Sequence, residues 1–428
     1  MGGGGVIVGL GSGSGSGIAT TTIGPMVRAA FSGRAGGSAW RWTLLLASAG
    51  AALLVARAVW RLREPSEHIE VHADRAKLDA LLRARMGTPA GVPATSSGLL
   101  LEPVDEATAP AVFWALDKRR YRYDPNAYYL RRGPAVWRKD WAEHPDGGWE
   151  ARTNRLGMRE DADPAPERPD LRILVAGDSH TDGVCPNADS FTNLLEARLA
   201  ARWPERSVEA LNAGLGGYST YNYLGTLDAY AELEPHVFVV VVYGGNDFME
   251  SMRLQRYFQR RPPPEPGPYA AKMLFEEHPA ARIILSQELA QAFYFLNNPD
   301  DVQASIDVTA AILVEASERC AARGVRFLCA YLPPPGRAQG SLYEPALLPV
   351  LEAHGQGRAA LAVSDAIADG WIAIARERGI ACVDLRPAFA ASEKPCYWQL
   401  DHHIDLEGQR VVADALEAAL LEMLEEGG

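Results

Sequence analysis

Leu171-Arg172-Ile173-Leu174-Val175-Ala176 is an apolar run that leads directly into the polar turn Gly177-Asp178-Ser179-His180. A short apolar run bounded by a turn is typical of a strand that is buried on both faces of a parallel sheet. We therefore expect it to be the buried first strand of an α/β domain, whereas 237–243, with five Val, should be the central strand. The turn should follow at the carboxyl end of the first strand, with a helix that begins close to Ser179.

Further strands and helices alternate along the rest of the chain. Strands are predicted at 208–211, 237–243, 325–331 and 380–385, and helices at 191–202, 301–323, 359–377 and 408–425. This alternation implies a mostly parallel sheet that is covered by helices on both faces. The predicted fold class is therefore α/β, with three α/β/α layers and a five-stranded sheet. Residues 250–300 form an insertion after the third strand, which we expect to be a lid or wall of the pocket.

Three other polar stretches lie next to these elements. They are Asn212-Ala213-Gly214-Leu215-Gly216-Gly217, Gly244-Gly245-Asn246-Asp247 and Asp401-His402-His403. The first two follow the second and third strands, and the last precedes the final helix. Because the site of a parallel α/β sheet lies beyond the carboxyl ends of its strands, all four stretches should converge on one edge of the sheet.

The four stretches together supply the parts of a serine nucleophile site. A serine hydroxyl is a weak nucleophile until a base takes its proton; His403 is the predicted base for Ser179, and Asp401 would orient it. The predicted oxyanion-hole donors are the backbone N–H groups of Ser179 and Gly217 and the side-chain amide of Asn246. The sequence therefore predicts a serine hydrolase or an acyltransferase.

Neighbouring residues receive supporting roles. Asp178 is interpreted as a turn or cap residue, and Asp247 as the residue that fixes the loop presenting Asn246. His402 is the alternative base beside His403, so the sequence leaves open which of the two histidines serves Ser179.

The four stretches resemble the blocks of the SGNH, or GDSL, hydrolase superfamily. Gly177-Asp178-Ser179 is similar to the first block, 212–217 to the second, Gly244-x-Asn246-Asp247 to the third and Asp401-x-His403 to the last. The upstream stretch Asn154-Arg155-Leu156-Gly157-Met158-Arg159 resembles the lead-in of bacterial members.

This resemblance covers roughly residues 150–428 and implies a flavodoxin-like sheet with esterase, lipase, deacetylase or acetyltransferase activity. The common last block is Asp-x-x-His, whereas the Asp-x-His spacing found here is similar to that of alginate-type polysaccharide acetyltransferases. We predict an ester hydrolase that forms an acyl–Ser179 intermediate and needs no cofactor. The alternative is an O-acyltransferase that moves an acetyl group to or from a glycan.

Two other classes of function are weighed against this one. A metal-dependent phosphoesterase could draw its ligands from Asp178, His180, Asp401, His402, His403 and Asp405. The accompanying metallophosphoesterase stretches, an earlier Asp-x-His and a Gly-Asn-His, do not occur in the sequence, so we predict no metal site. A non-catalytic binding module would be expected to have lost one member of the catalytic set, and none is missing.

The amino-terminal residues are expected to lie outside the catalytic fold. Residues 1–39 are rich in Gly and Ser and are predicted to be a disordered tail. Residues 40–63 include an apolar stretch from Trp42 to Trp60 near the lower length limit for crossing a bilayer. We predict a single-pass membrane anchor with an extracytoplasmic catalytic domain. A cleaved signal peptide, with Ala56-Arg57-Ala58 as its cleavage site, and a soluble helix are the alternatives.

The rest of the chain is divided into segments where its amino-acid composition changes. Residues 64–160 are predicted to be a stalk and a small aromatic-rich lead-in, whose rings we interpret as packing residues rather than a carbohydrate or lipid platform. Residues 161–428 are the predicted catalytic domain.

The net charge is −12 although residues 1–63 carry Arg and no Asp or Glu, so the body is acidic and nucleic acid is not an expected partner. The expected substrate is an acylated small molecule, lipid or glycan.

Overall fold

The computed structural model describes residues 80–86, 99–113, 119–263, 286–399 and 401–425. The predicted tail and the predicted membrane helix lie outside the described residues. Among the residues that are described, no helix has both the length and the apolar character needed to cross a membrane.

Two antiparallel hairpins and a short helix precede the main sheet. They are α1 (Ala109–Phe113), the hairpin of β1 (Tyr121–Asp124) and β2 (Tyr128–Arg131), and the hairpin of β3 (Ala135–Asp140) and β4 (Gly148–Thr153). Helix α1 and the β1–β2 hairpin share one hydrophobic core with the main sheet, since buried Tyr128 and Leu130 belong to the same cluster as Leu174. The β3–β4 hairpin packs separately, with Trp149 and Ala151 of β4 against Val184 and Trp398. The described residues from 80 onward accordingly belong to one compact unit.

Five parallel strands form the main sheet. They are β5 (Leu171–Ala176), β6 (Val208–Asn212), β7 (Val237–Tyr243), β8 (Arg326–Leu332) and β9 (Ala381–Asp384). Their order is β6-β5-β7-β8-β9, in which the chain crosses over β5 to reach β7, and every neighbouring pair is parallel. This is the flavodoxin-like order, with the switch point between β5 and β7. The predicted five-stranded sheet is confirmed, with strand ends within one residue of those expected.

Helices cover both faces of the sheet. They are α2 (Ser179–Asp182), α3 (Phe191–Arg202), α4 (Thr220–Ala229), α5 (Asp247–Phe258), α6 (Ser286–Asn297), α7 (Asp301–Ala322), α8 (Pro335–Ala338), α9 (Gly340–Ala353), α10 (Val363–Glu377), α11 (Arg386–Ala391) and α12 (Leu406–Glu425). Side chains of β5 alternate between two cores, because successive residues of a strand point to opposite faces. Leu174 packs with α4, α7 and α10, whereas Ile173 packs with α3, α9 and α12.

The insertion after β7 packs against the loop that follows this strand. Gln291 of α6 donates from Nε2 to the carbonyl O of Gly244 at 2.5 Å, and its Oε1 accepts from the backbone N–H of Met249 at 3.2 Å. These bonds join α6 to the loop that bears Asn246. The insertion therefore forms a wall beside that loop, while residues 264–285 lie outside the described part of the chain.

Candidate active site

Ser179, His403 and Asp401 lie in one hydrogen-bonded chain. The Nε2 atom of His403 is 2.7 Å from Oγ of Ser179, and its Nδ1 is hydrogen-bonded to Oδ1 of Asp401. The same Asp401 oxygen accepts the backbone N–H of His403 at 3.0 Å. With the Nδ1 proton directed at Asp401, Nε2 is left to accept the proton of the serine hydroxyl.

Local structure presents Ser179 beyond the carboxyl end of β5, beside the central strand β7. It is the first residue of α2, and the buried carboxylate of Asp178 caps this helix by accepting the N–H of His180 at 2.9 Å. Gly177 is required by the tight turn, because a Cβ there would lie 1.9 Å from Oγ1 of Thr181. The predicted cap role of Asp178 thus agrees with the geometry.

The electrostatics of this group make the imidazole of His403 more basic than usual. Burial alone would lower the pKa of His403, but the charge and hydrogen bond of Asp401 outweigh burial and raise it above its usual value. For Asp401, burial would raise the pKa, but the imidazole of His403 holds it far below its usual range. Asp401 is therefore ionised at all assay pH values and can stabilise the imidazolium form of His403.

The other two histidines near Ser179 have different surroundings. His402 is buried, its ring lies 6.2 Å from that of His403, and burial lowers its pKa to about 4. His180 is fully buried beneath the site, stacks 3.7 Å from the ring of Tyr243 and accepts the N–H of Ile404 at Nδ1. The geometry thus joins His403 rather than His402 to Ser179, and it places His180 among packing residues.

The loop after β6 lies against the nucleophile turn. Leu215 donates its N–H to the carbonyl O of Gly177 at 3.1 Å, and the side chain of Asn212 donates to the carbonyl O of Thr181 at 2.8 Å. A Cβ built on Gly216 would lie 3.7 Å from that of Ser179. Gly217 has a φ of 83°, which favours glycine. This loop is therefore close enough for its backbone to face a group bound at Ser179.

The loop after β7 presents Asn246 at the start of α5. Asn246 caps this helix through its backbone, and its side chain makes no capping hydrogen bond. The neighbouring Asp247 is buried, and its Oδ2 accepts the hydroxyl of Tyr223 and the N–H of Tyr243, each at 2.7 Å. Asp247 thus anchors the loop, in agreement with its predicted supporting role.

Replacing Asn246 by Ala is expected to lower kcat for ester hydrolysis by roughly 10²–10³-fold with little change in KM, because one donor to the developing oxyanion is lost. Initial rates on an aryl acetate give both constants. The control is Asn298→Ala, which removes an amide that donates to the carbonyl O of Tyr294 away from the site. An unchanged kcat in Asn246→Ala would assign this residue to loop structure alone.

Two residues of the lead-in contact the site without having been singled out in the sequence. Arg131 pairs with Asp182 at the end of α2, and the hydroxyl of Tyr129 lies 3.4 Å from the carbonyl O of Gly216. Neither residue belongs to a recognisable motif. Arg159 also pairs with Asp182. It lies inside the stretch that resembles the lead-in of bacterial members, so this resemblance could have identified it from the sequence.

The six candidate metal ligands do not surround a common point. In the part of the chain that the structure describes, no three His, Cys, Asp or Glu side chains are grouped so that they could hold a metal ion. The five Cys residues, all described, are free thiols.

A flavodoxin-like parallel sheet with a serine, a histidine and an aspartate joined beyond its strand ends is the arrangement of a serine hydrolase. The sequence model of the GDSL-like lipase/acylhydrolase family matches residues 175–411, which is more than half of the chain. The chain belongs to this family and is a carboxylic ester hydrolase. No curated protein sequence matches it.

Several solved structures are similar to the chain at low identity. LAE5, an α/β hydrolase enzyme from the metagenome of Lake Arreo, Spain, has 18% identity, covers 59% of this chain and 96% of its own, and has a TM-score of 0.36. TesA has 14% identity, with 58% and 98% covered and a TM-score of 0.34. A catalytic mutant of Axe2, an acetylxylan esterase from Geobacillus stearothermophilus, has 14% identity, with 60% and 96% covered and a TM-score of 0.36.

Proposed function

We propose that the protein hydrolyses an O-acyl ester through a covalent acyl–Ser179 intermediate. The observation that carries this proposal is the 2.7 Å contact between Nε2 of His403 and Oγ of Ser179, with Nδ1 of the same ring bonded to Asp401. A hydroxyl held against an imidazole whose other nitrogen is oriented by a carboxylate is the arrangement that activates serine for attack.

Each proton in this reaction has a donor and an acceptor among these residues. Oγ of Ser179 attacks the ester carbonyl carbon as its proton passes to Nε2 of His403, and the negative charge on the carbonyl oxygen faces the N–H groups of Ser179 and Gly217 and the amide of Asn246. The imidazolium then protonates the departing alcohol. A water molecule, deprotonated by the same nitrogen, then attacks the acyl carbon. The bond to Oγ of Ser179 breaks, His403 returns the proton to Oγ, and the acid is released.

The proposed substrate is an acylated small molecule, lipid or glycan. We also propose that residues 40–63 hold the chain at a membrane, with the catalytic domain outside the cytoplasm. This part of the proposal is supported by the apolar stretch between Trp42 and Trp60 and by the tryptophans at its ends, which suit the membrane interface.

Labelling with a fluorophosphonate tests the covalent mechanism. The full-length protein in detergent is treated with the probe, and the modified peptide is mapped by mass spectrometry. We expect one label on Ser179 and a large loss of labelling rate in His403→Gln. A folded sample, judged by circular dichroism, that takes up no label would contradict an activated serine. A chelator test on a phosphoester would then examine the metal hypothesis.

Transfer of the acyl group to a sugar hydroxyl is the second candidate, and the Asp401-x-His403 spacing is the observation that favours it. Because the two reactions share every step up to the acyl–serine, they differ in the acceptor alone. Aryl acetate is supplied with and without an oligosaccharide, and released acetate and acetylated sugar are measured by NMR. We expect acetate as the main product; acetylated sugar in excess of acetate would make transfer the function.

A further inference from the structure

The β1–β2 hairpin, which precedes the family-matched region, contacts two loops of the candidate site. Tyr129 and Arg131 are two residues apart on β2, so their side chains leave the same face of the strand. Tyr129 reaches the carbonyl O of Gly216 in the loop after β6, and Arg131 reaches Asp182 at the end of α2. One strand outside the main sheet thus contacts the nucleophile helix and the predicted oxyanion loop.

Arg131 and Asp182 form a bidentate ion pair. Nη1 and Nη2 of Arg131 donate to Oδ1 and Oδ2 of Asp182 at 3.0 and 2.5 Å. The two side chains are 11% and 17% exposed, so water screens this pair far less than a surface pair. A guanidinium that meets both carboxylate oxygens fixes orientation as well as distance, which a single hydrogen bond does not.

Helix α2 needs such external support because it is one turn long. Four residues, Ser179 to Asp182, make up the helix, and isolated helices of this length are not stable. Its internal bonds are few: Asp182 donates its N–H to the carbonyl O of Asp178, and Gly183 donates to that of Ser179. The side chain of Asp182 is therefore one contact through which other parts of the chain can set the orientation of Ser179, beside the bonds from Asn212 to Thr181 and from Ile404 to His180.

A second arginine completes this anchor. Nη1 of Arg159 lies 3.5 Å from Oδ1 of Asp182 and donates to the carbonyl O of Gly183 at 3.2 Å. The guanidinium carbons of Arg159 and Arg131 each lie 5.6 Å from the ring centroid of Trp137 on β3. Both arginines are thus fixed by an aromatic ring of the lead-in as well as by Asp182.

We propose that Arg131 is a positioning residue for ester cleavage: its two-point ion pair with Asp182 holds the single-turn helix so that Oγ of Ser179 faces Nε2 of His403. This inference rests on the proposed function and extends it to a residue that lies before the family-matched region. It makes the lead-in hairpin part of the active site. Arg131 itself touches no reacting atom.

The test compares Arg131→Lys, Arg131→Ala and Asp182→Asn in the full-length protein. The control Arg138→Gln removes an arginine of β3 whose partner Asp140 is exposed. Active sites are first counted by fluorophosphonate titration, so that unfolded molecules do not enter kcat. We expect kcat per active site to fall roughly 10–100-fold in Arg131→Ala with KM within about twofold, because displaced reacting groups lose rate without losing substrate binding.

Two further readouts separate positioning from mere stabilisation. Added guanidinium should restore part of kcat in Arg131→Ala, since it can occupy the space left by the arginine side chain and pair with the carboxylate of Asp182. It should restore none in Asp182→Asn, where this carboxylate is missing. Arg131→Lys should stay impaired, because an ammonium cannot make the same two-point contact. The Arg131→Lys/Asp182→Asn double variant should be no slower than the slower single variant, because both changes remove the same contact.

The outcomes divide cleanly between this inference and the proposed function. If the wild-type protein takes up no fluorophosphonate, the proposed function fails. If the wild-type protein is labelled and the Arg131 variants are labelled and turn over at the same rate per active site, the positioning role is overturned. The positioning role is also overturned if the Arg131 variants change only the melting temperature, or only KM, and leave kcat per active site at the wild-type value. Should Arg131→Ala fail to fold, Arg131→Lys, which keeps the charge and most of the side chain, decides the same question, since Asp182→Asn would also weaken the contact of Arg159.

Discussion

Replacing Ser179 by Ala is expected to lower kcat/KM for ester hydrolysis by roughly 10⁴–10⁶-fold, the largest effect of any single substitution in this protein. Without Oγ no acyl–enzyme can form, and His403 has no hydroxyl from which to take a proton. What remains is the rate that oxyanion donors and substrate binding give to direct attack by water. The side chain is small and its Oγ bonds to His403, so the fold should be preserved.

Initial rates on an aryl acetate, together with the melting temperature, check this expectation. Ser341→Ala is the matched control, since Ser341 is an exposed residue of α9. We expect the control to retain the wild-type rate and both variants to melt like the wild type. Turnover of Ser179→Ala within about tenfold of wild type would exclude the covalent mechanism, because nucleophile removal costs several orders of magnitude in serine hydrolases.

The second large effect is expected for His403→Gln, which should lower kcat by roughly 10³–10⁵-fold. The glutamine amide is a poor proton acceptor, so Ser179 would lose its base and the leaving alcohol its acid. The neighbouring His402→Gln is the matched comparison, and we expect less than about a tenfold change in kcat, since an imidazole outside the proton path contributes little to the rate. His402 is buried, and its ring is 6.2 Å from that of His403 rather than bonded to Ser179.

The pH profile provides a second measure of the same residue. His403 must be neutral to accept a proton, so activity should be full above its raised pKa and fall as pH drops through that value, which lies above the usual 6.5. His402, with a pKa of about 4, is neutral throughout the assay range and adds no limb. The residual rate of His403→Gln should lack the acid limb. If His402→Gln lost the acid limb of the pH profile and His403→Gln kept it, His402 would be the base and His403 would not.

The sheet was predictable because its signals are local. Five apolar runs separated by helical patterns are sufficient to place β5 to β9, and the observed ends differ by one residue. A strand buried on both faces must be apolar along its whole length, as all seven residues of β7 are, so the pattern is visible without any knowledge of neighbours. The position of Ser179 at a helix start followed from the same reasoning, whereas the helix that begins after Asn246 was not predicted.

The sequence favoured His403 over His402 through the Asp401-x-His403 spacing, but no local pattern gives the orientation of either ring. The two residues are adjacent, and a difference of one position changes which ring faces a serine 224 residues away. This depends on how the segment before α12 crosses the end of the sheet, where His403 donates its N–H to Asp401 and Trp398 donates to the carbonyl O of His403. Such a path is set by packing among distant elements.

The sequence by itself therefore determined the α/β class, the positions of the five strands along the chain and the set of groups that meet at the site, because these depend on periodicity and on motifs within a few residues. The tertiary structure alone gave the contact between His403 and Ser179 its geometry, and it alone brought Arg131 and Tyr129 to the nucleophile helix and the neighbouring loop. Both depend on contacts between residues far apart in the chain. Their geometry arises when the hairpin and the sheet bury a common core, and no local pattern records it.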